Sequence, residues 1–114
     1  MIILAAILAL TPAPVSLPQH TGDCEWVHGR YFVYNGSGLR RIWIIGTHRM
    51  VSIRDDDNVP ASITRYGQIG FYVRQNAPLN GDFHICAAEP SRPGHMQHIH
   101  LTATRNLIFQ GKPF

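Results

Sequence analysis

The chain opens with an unbroken apolar run, Met1 to Leu10 (MIILAAILAL), followed by the proline-rich stretch Thr11 to Pro18. A helix needs roughly 20 residues to cross a bilayer, so the run is too short to be a spanning segment. It reads as an export signal carried by the terminal amine, since no Lys or Arg precedes it. Cleavage is expected between Ala13 and Thr21, with residues 1–21 as signal and leader and 22–114 as one domain. An uncleaved anchor or a misassigned start codon is the alternative. A domain of this length can fold alone but lies near the lower limit of comfortable stability, so a covalent staple would help it.

Cys24 and Cys86 are the two cysteines. Asp23 precedes Cys24, unlike the small residue expected before a lipid-modified cysteine. In an exported chain an even pair reads as a disulfide. Closing a loop between positions 24 and 86 would remove on the order of 4 kcal/mol of unfolded-state entropy. Two buried thiols, or partners in other molecules, are the alternatives.

Downstream of the leader, short apolar or alternating runs are separated by turn signals, and no long helical periodicity is present. The fold class is therefore all-β, a small antiparallel sandwich or barrel of about six short strands. Trp26 to Tyr34 and Leu39 to Ile45 should form a hairpin about Asn35-Gly36-Ser37-Gly38. The run Ile42-Trp43-Ile44-Ile45 suggests a central strand covered on both faces. Met50 to Arg54 continues the meander, and Asp55-Asp56-Asp57-Asn58 is an acidic loop. Val59 to Tyr66 is irregular, with Pro60 able to open one helical turn after an Asn58 or Asp57 cap. Ile69, Phe71 and Val73 alternate as a half-buried strand would, and Asn76 to Gly81 is a loop. Phe83, Ile85 and Ala87 then point inward, which turns Cys86 outward and places any bridge to Cys24 outside the sheet. Glu89 to Gly94 is a rigid loop, His95 to Thr102 the last full strand, and Leu107 to Phe109 a short edge.

Seven histidines and a net charge of +3 frame the possible chemistry. His98 and His100 share one face of a strand, and with His84 from a neighbouring strand they form a candidate zinc or copper site, Asp82 being a further donor. Polar decoration of a solvent face is the simpler reading, under which there is no cofactor. Arg40, Arg41, Arg49 and Arg54, interleaved with Trp43, form a candidate surface for oxyanions, because arginine presents a planar fork. No nucleic-acid module is recognisable, so nucleic acid is disfavoured as a partner. No catalytic set is signalled: Ser37, Ser52, Ser62 and Ser91 lie in loop or outer-face contexts without a nucleophile elbow. Asn35-Gly36-Ser37 matches a glycosylation acceptor, but its turn role accounts for it.

The segments Val27-His28-Gly29-Arg30 with Tyr34-Asn35-Gly36, Arg41-Ile42-Trp43 with Gly46-Thr47-His48-Arg49-Met50, Gly81-Asp82-Phe83-His84-Ile85-Cys86 and Arg92-Pro93-Gly94-His95 together resemble a family of small exported proteobacterial proteins with no assigned function. The resemblance runs from Cys24 to about Asn106. It implies export and a single module, and supplies no catalytic or binding residues. A cysteine often stands in that family where this chain has His100, which implies a different pairing of Cys24 and Cys86 there.

The expectation is thus a periplasmic or secreted, non-enzymatic β-domain that binds a protein or envelope component, with Tyr31, Tyr34 or Tyr72 as contact points and no transmembrane segment in the mature chain. A histidine-cluster metal protein and a binder of anionic polymer through the arginine-rich hairpin are the alternatives.

Overall fold

In the computed structural model, residues 17–34, 38–54 and 58–114 are described. The apolar opening run, the tip Asn35-Gly36-Ser37 and the acidic Asp55 to Asp57 lie outside the described residues.

Six strands and two short helices follow in the order β1 (Cys24–Val33), β2 (Arg40–Ile44), β3 (Met50–Ile53), α1 (Ala61–Gly67), α2 (Phe71–Asn76), β4 (Leu79–Ala87), β5 (Gln97–Phe109) and β6 (Lys112–Pro113). β3, β2, β1, β4 and β5 pair as antiparallel neighbours. A parallel pairing of Val51–Ile53 with Gln97–Ile99 then joins β3 to β5. The five strands close into a barrel, and β6 adds an outer ribbon on β5.

Closure gives every barrel strand one inner and one outer face, so the period-2 patterning can be read directly. Val27, Gly29 and Tyr31 of β1 point inward, as do Ile42 and Ile44 of β2, Val51 and Ile53 of β3, and Leu79, Phe83 and Ile85 of β4. Ile99 and Leu101 of β5 complete the interior. Trp43, within the continuous apolar run of β2, faces outward and is half-buried, so β2 is not covered on both faces. Tyr31 is buried, stacked on Phe83 and edge-on to Tyr66, and therefore is not a contact point.

α1 plugs one end of the barrel. Ile63 and Tyr66, three residues apart and hence on one helical face, are its buried residues. The Tyr66 ring meets Phe109 and Phe114 edge-on, and its hydroxyl donates to the carbonyls of Arg74 and Ala77. The segment expected to be irregular is therefore helical over most of its length. Pro60 stands at the N-cap, and no side chain caps the helix.

The alternation of Ile69, Phe71 and Val73 is not a strand: Phe71–Asn76 is helix α2, with Gly70 at its N-cap and Ile69 before it. Six residues carry too little periodicity to separate the two, and the β3–β5 pairing removes the edge on which such a strand would lie. Asn76 to Gly81 is likewise not all loop: Leu79, wholly buried, starts β4 opposite Tyr31. Leu107 to Phe109 is the end of a 13-residue β5 rather than a separate edge. A register shift between Asn80 and Asp82 sets that end against β4, with Asn106 at φ 53°.

Gly29 and Gly81 face each other across the β1–β4 ladder. A Cβ on Gly29 would lie 2.5 Å from Ile42 Cγ2 and 3.2 Å from Phe83 Cδ2. A Cβ on Gly81 would meet Leu107 Cδ2 at 2.8 Å and the Asn106 carbonyl oxygen at 3.0 Å. The pair lets β1 and β4 approach the facing side chains where larger residues would hold the walls apart.

The Cys24–Cys86 disulfide forms on the outer face, at one end of the same ladder. The leader residues next to it are built into the domain. Leu17 and Pro18 are buried, Gln97 Nε2 donates to the Pro18 carbonyl at 2.8 Å, and the Ser91 amide donates to the Gln19 carbonyl at 3.0 Å.

Gly29→Ala should destabilise the protein by about 1–3 kcal/mol through overpacking of the interior. Urea denaturation checks this, and an unchanged midpoint would show that Ile42 and Phe83 yield freely.

Candidate functional site

Outer-face chemistry divides between two patches that meet along β1. The first lies over β1, β2 and β3. Alternation brings Arg30 and Phe32 of β1 to the outside, together with Arg41 and Trp43 of β2 and Met50 of β3. The ladders place Arg30 opposite Trp43, Phe32 opposite Arg41, and Trp43 opposite Met50.

The arginines of this patch lie on rings. Arg30 sits 5.3 Å from the Trp43 centroid, and Arg41 sits 4.7 Å from that of Tyr34. Tyr34 in turn meets Phe32 edge-on, and its hydroxyl reaches Met50 Sδ at 3.8 Å. A cation–π contact does not itself use the N–H donors of a guanidinium, which can still face an oxyanion. Arg41 Nε is buried without a hydrogen-bond partner.

The patch runs into a groove of about 450 Å³ between β1 and α2. Arg30, Phe32 and Tyr34 form one wall, and Arg74 and Gln75 stand opposite, with Tyr66 also lining it. Arg74 is held by an Nε–H bond to the Ile69 carbonyl, and Arg30 by one to Asn80 Oδ1. No carboxylate lines the groove among the described residues.

Of the arginines expected to form an oxyanion surface, Arg41 therefore belongs to the patch with Trp43. Arg40 has the inward parity of β2, is half-buried and donates to the Arg54 carbonyl at 3.0 Å. Arg49 is exposed beyond Ile44, in the turn leading to β3. Arg30, Phe32 and Arg74 were not legible as site residues. Hairpin register, which pairs Arg30 with Trp43, is the signal that would have found the first two.

The second patch covers β1, β4 and β5 and carries most of the histidines. His28 Nδ1 lies 3.1 Å from Asp82 Oδ1, and Asp82 Oδ2 also accepts from Asn106 Nδ2 at 3.0 Å and Arg105 Nε at 3.4 Å. His98 is engaged by Glu89, whose Oε1 lies 3.0 Å from both the backbone N and the ring Nδ1 of His98. His84 bonds the Thr102 hydroxyl and packs against Trp26. His98 and His100 do share the outer face of β5, as their spacing predicts. Among the described residues, however, the group whose ligand atoms come within 4.8 Å of one another is Cys24, His84 and Cys86, and neither His98 nor His100 is part of it.

The carboxylates on this patch are held below their ordinary values. The Asn106 amide does most for Asp82, followed by His28 and Arg105, while the His98 backbone N–H and then its ring do so for Glu89. A carboxyl depressed in the folded state contributes stability above its unfolded value, and that contribution is lost as pH falls through the folded value. Denaturation midpoints should therefore fall as pH drops below the usual carboxylate range, near 4. Asp82→Asn should make the profile less steep, and an identical profile for that variant would remove Asp82 from the linkage.

The chain matches no family model, no curated protein and no solved structure.

Proposed function

We propose that the protein is an exported, non-enzymatic binding module that takes an extended acidic polysaccharide across the outer face of β1, β2 and β3, with one unit of the polymer seated in the groove beside α2. The observation that carries this reading is the stacking of Arg30 on Trp43 and of Arg41 on Tyr34, on a surface whose groove has no lining carboxylate. Fixed guanidinium groups suit carboxylate or sulfate oxygens, and the neighbouring rings offer flat apolar faces to sugar units.

Architecture points the same way by analogy. Small five-stranded barrels of the OB type bind oligosaccharides and oligonucleotides on the face of their second and third strands and through the adjoining loops. The arginine and aromatic patch here covers β2 and the start of β3 and extends onto β1, but fold alone does not assign function. The disulfide supports an oxidising destination, and among the described residues no helix is long and apolar enough to cross a membrane. Both fit a periplasmic or secreted module.

Titration with a sulfated oligosaccharide, followed by tryptophan fluorescence, tests the proposal. Binding should weaken steeply with salt. Arg30→Ala, Arg41→Ala and Trp43→Ala should each raise Kd about tenfold, equivalent to about 1.4 kcal/mol. Lys112→Ala, on the outer ribbon, should leave Kd unchanged. Equal binding by the wild type and an Arg30→Ala/Arg41→Ala double variant would eliminate this face as the site. Tighter binding of oligothymidylate of matched charge would reassign the ligand to single-stranded nucleic acid.

A further inference from the structure

Cys24 and Cys86 are direct cross-strand partners with a Cα separation of 4.0 Å. The bond between their sulfurs is not all that keeps them together. Backbone hydrogen bonds run from the Gly22 amide to the Ala87 carbonyl at 2.9 Å and from the Ala87 amide to the Asp23 carbonyl at 2.8 Å. The β1–β4 ladder continues from this pair to Tyr31 and Leu79. With the bridge open, the backbone would still hold both thiols on one outer face.

His84, two residues before Cys86 on β4, shares that face, and its ring supplies the third ligand atom of the group within 4.8 Å. The ring is fastened to β5 through Thr102, whose hydroxyl contacts His84 Nδ1 and lies 3.2 Å from the His84 carbonyl oxygen. A hydrogen bond at one ring nitrogen orients a metal-binding imidazole and leaves the other nitrogen for the ion.

We infer that the reduced form of this cluster is a zinc(II) site, with Cys24 Sγ, Cys86 Sγ and the His84 ring as ligands and a fourth position open to water. Two thiolates and an imidazole are a donor set that zinc favours. Entry to the site is gated by redox state. An external dithiol passes two electrons and two protons to the Cys24–Cys86 bond, which opens to two thiols as the dithiol closes to its own disulfide. Each thiol then loses its proton on binding, so one zinc ion displaces two protons. Reoxidation by a disulfide reverses the sequence and expels the ion. Cys24 is exposed, which leaves the bridge open to attack.

Native mass spectrometry and equilibrium dialysis against zinc, on oxidised protein and on protein reduced and freed of reductant, test the inference. The reduced wild type should retain one zinc and the oxidised protein none. His84→Ala should weaken retention at least tenfold, whereas His98→Ala should leave it unchanged. The site is overturned if the reduced wild type binds no more zinc than a Cys24→Ser/Cys86→Ser double variant, or if His84→Ala binds as tightly as the wild type. Should reduction unfold the chain, circular dichroism provides the readout: zinc must restore the folded signal to the reduced wild type and not to the double variant, and failure to do so also overturns the site.

Discussion

The parallel contact of β3 with β5 is the pairing on which the rest of the molecule depends. Without it, β3, β2, β1, β4 and β5 would form an open sheet with one face needing a cover that two short helices cannot supply. With it, the sheet covers itself. Val51 and Ile53 meet the interior next to Ile99, both long edges vanish, and α1 has only one end to seal. Closure also determines where polar chemistry can lie. Most residues of outward parity become surface residues, so the arginine, aromatic and histidine side chains of alternating strands are collected on the outer wall.

A barrel this small leaves little tolerance at its tightest points. Gly29 and Gly81 stand opposite each other where Ile42, Phe83 and Leu107 crowd inward, and the space they leave lets those larger side chains fill the interior. The covalent bond lies outside, at the far end of the same ladder, where it takes no interior volume. It shuts a loop with a sequence separation of 62, and chain-entropy reasoning puts its effect at about 4 kcal/mol. A domain near the lower size limit gains much from such a bond.

Much of this arrangement was legible in the residues because strand alternation is a strong local signal. The inward set Phe83 and Ile85 directs Cys86 outward, and an even pair of cysteines points to their bridge. The β1–β2 hairpin could be read for the same reason. What escaped was set by tertiary context. Six residues of alternation around Phe71 fit a strand or a helix equally well, and only the absence of a free edge decides between them. Leu79 was hidden among the turn-forming neighbours Asn76, Pro78 and Asn80. The meeting of β3 with β5 carries no local mark, since the two segments are separated by both helices and β4. At the sites, the patch is made by cross-strand register rather than by nearness in sequence, which brings Arg30 to Trp43 and separates Arg40 from Arg41.

The outer face of β1 links the two patches. Cys24, Trp26, His28, Arg30 and Phe32 follow one another on it, passing from the sulfur and histidine end to the arginine and aromatic end. At about 3.3 Å per residue, Cys24 and Arg30 stand roughly 20 Å apart on one rigid strand. The backbone bonds that keep the two cysteines together therefore belong to the same ladder that positions Arg30 against Asn80. A change confined to the sulfurs would leave that ladder in place, whereas loss of the ladder would disturb both ends together.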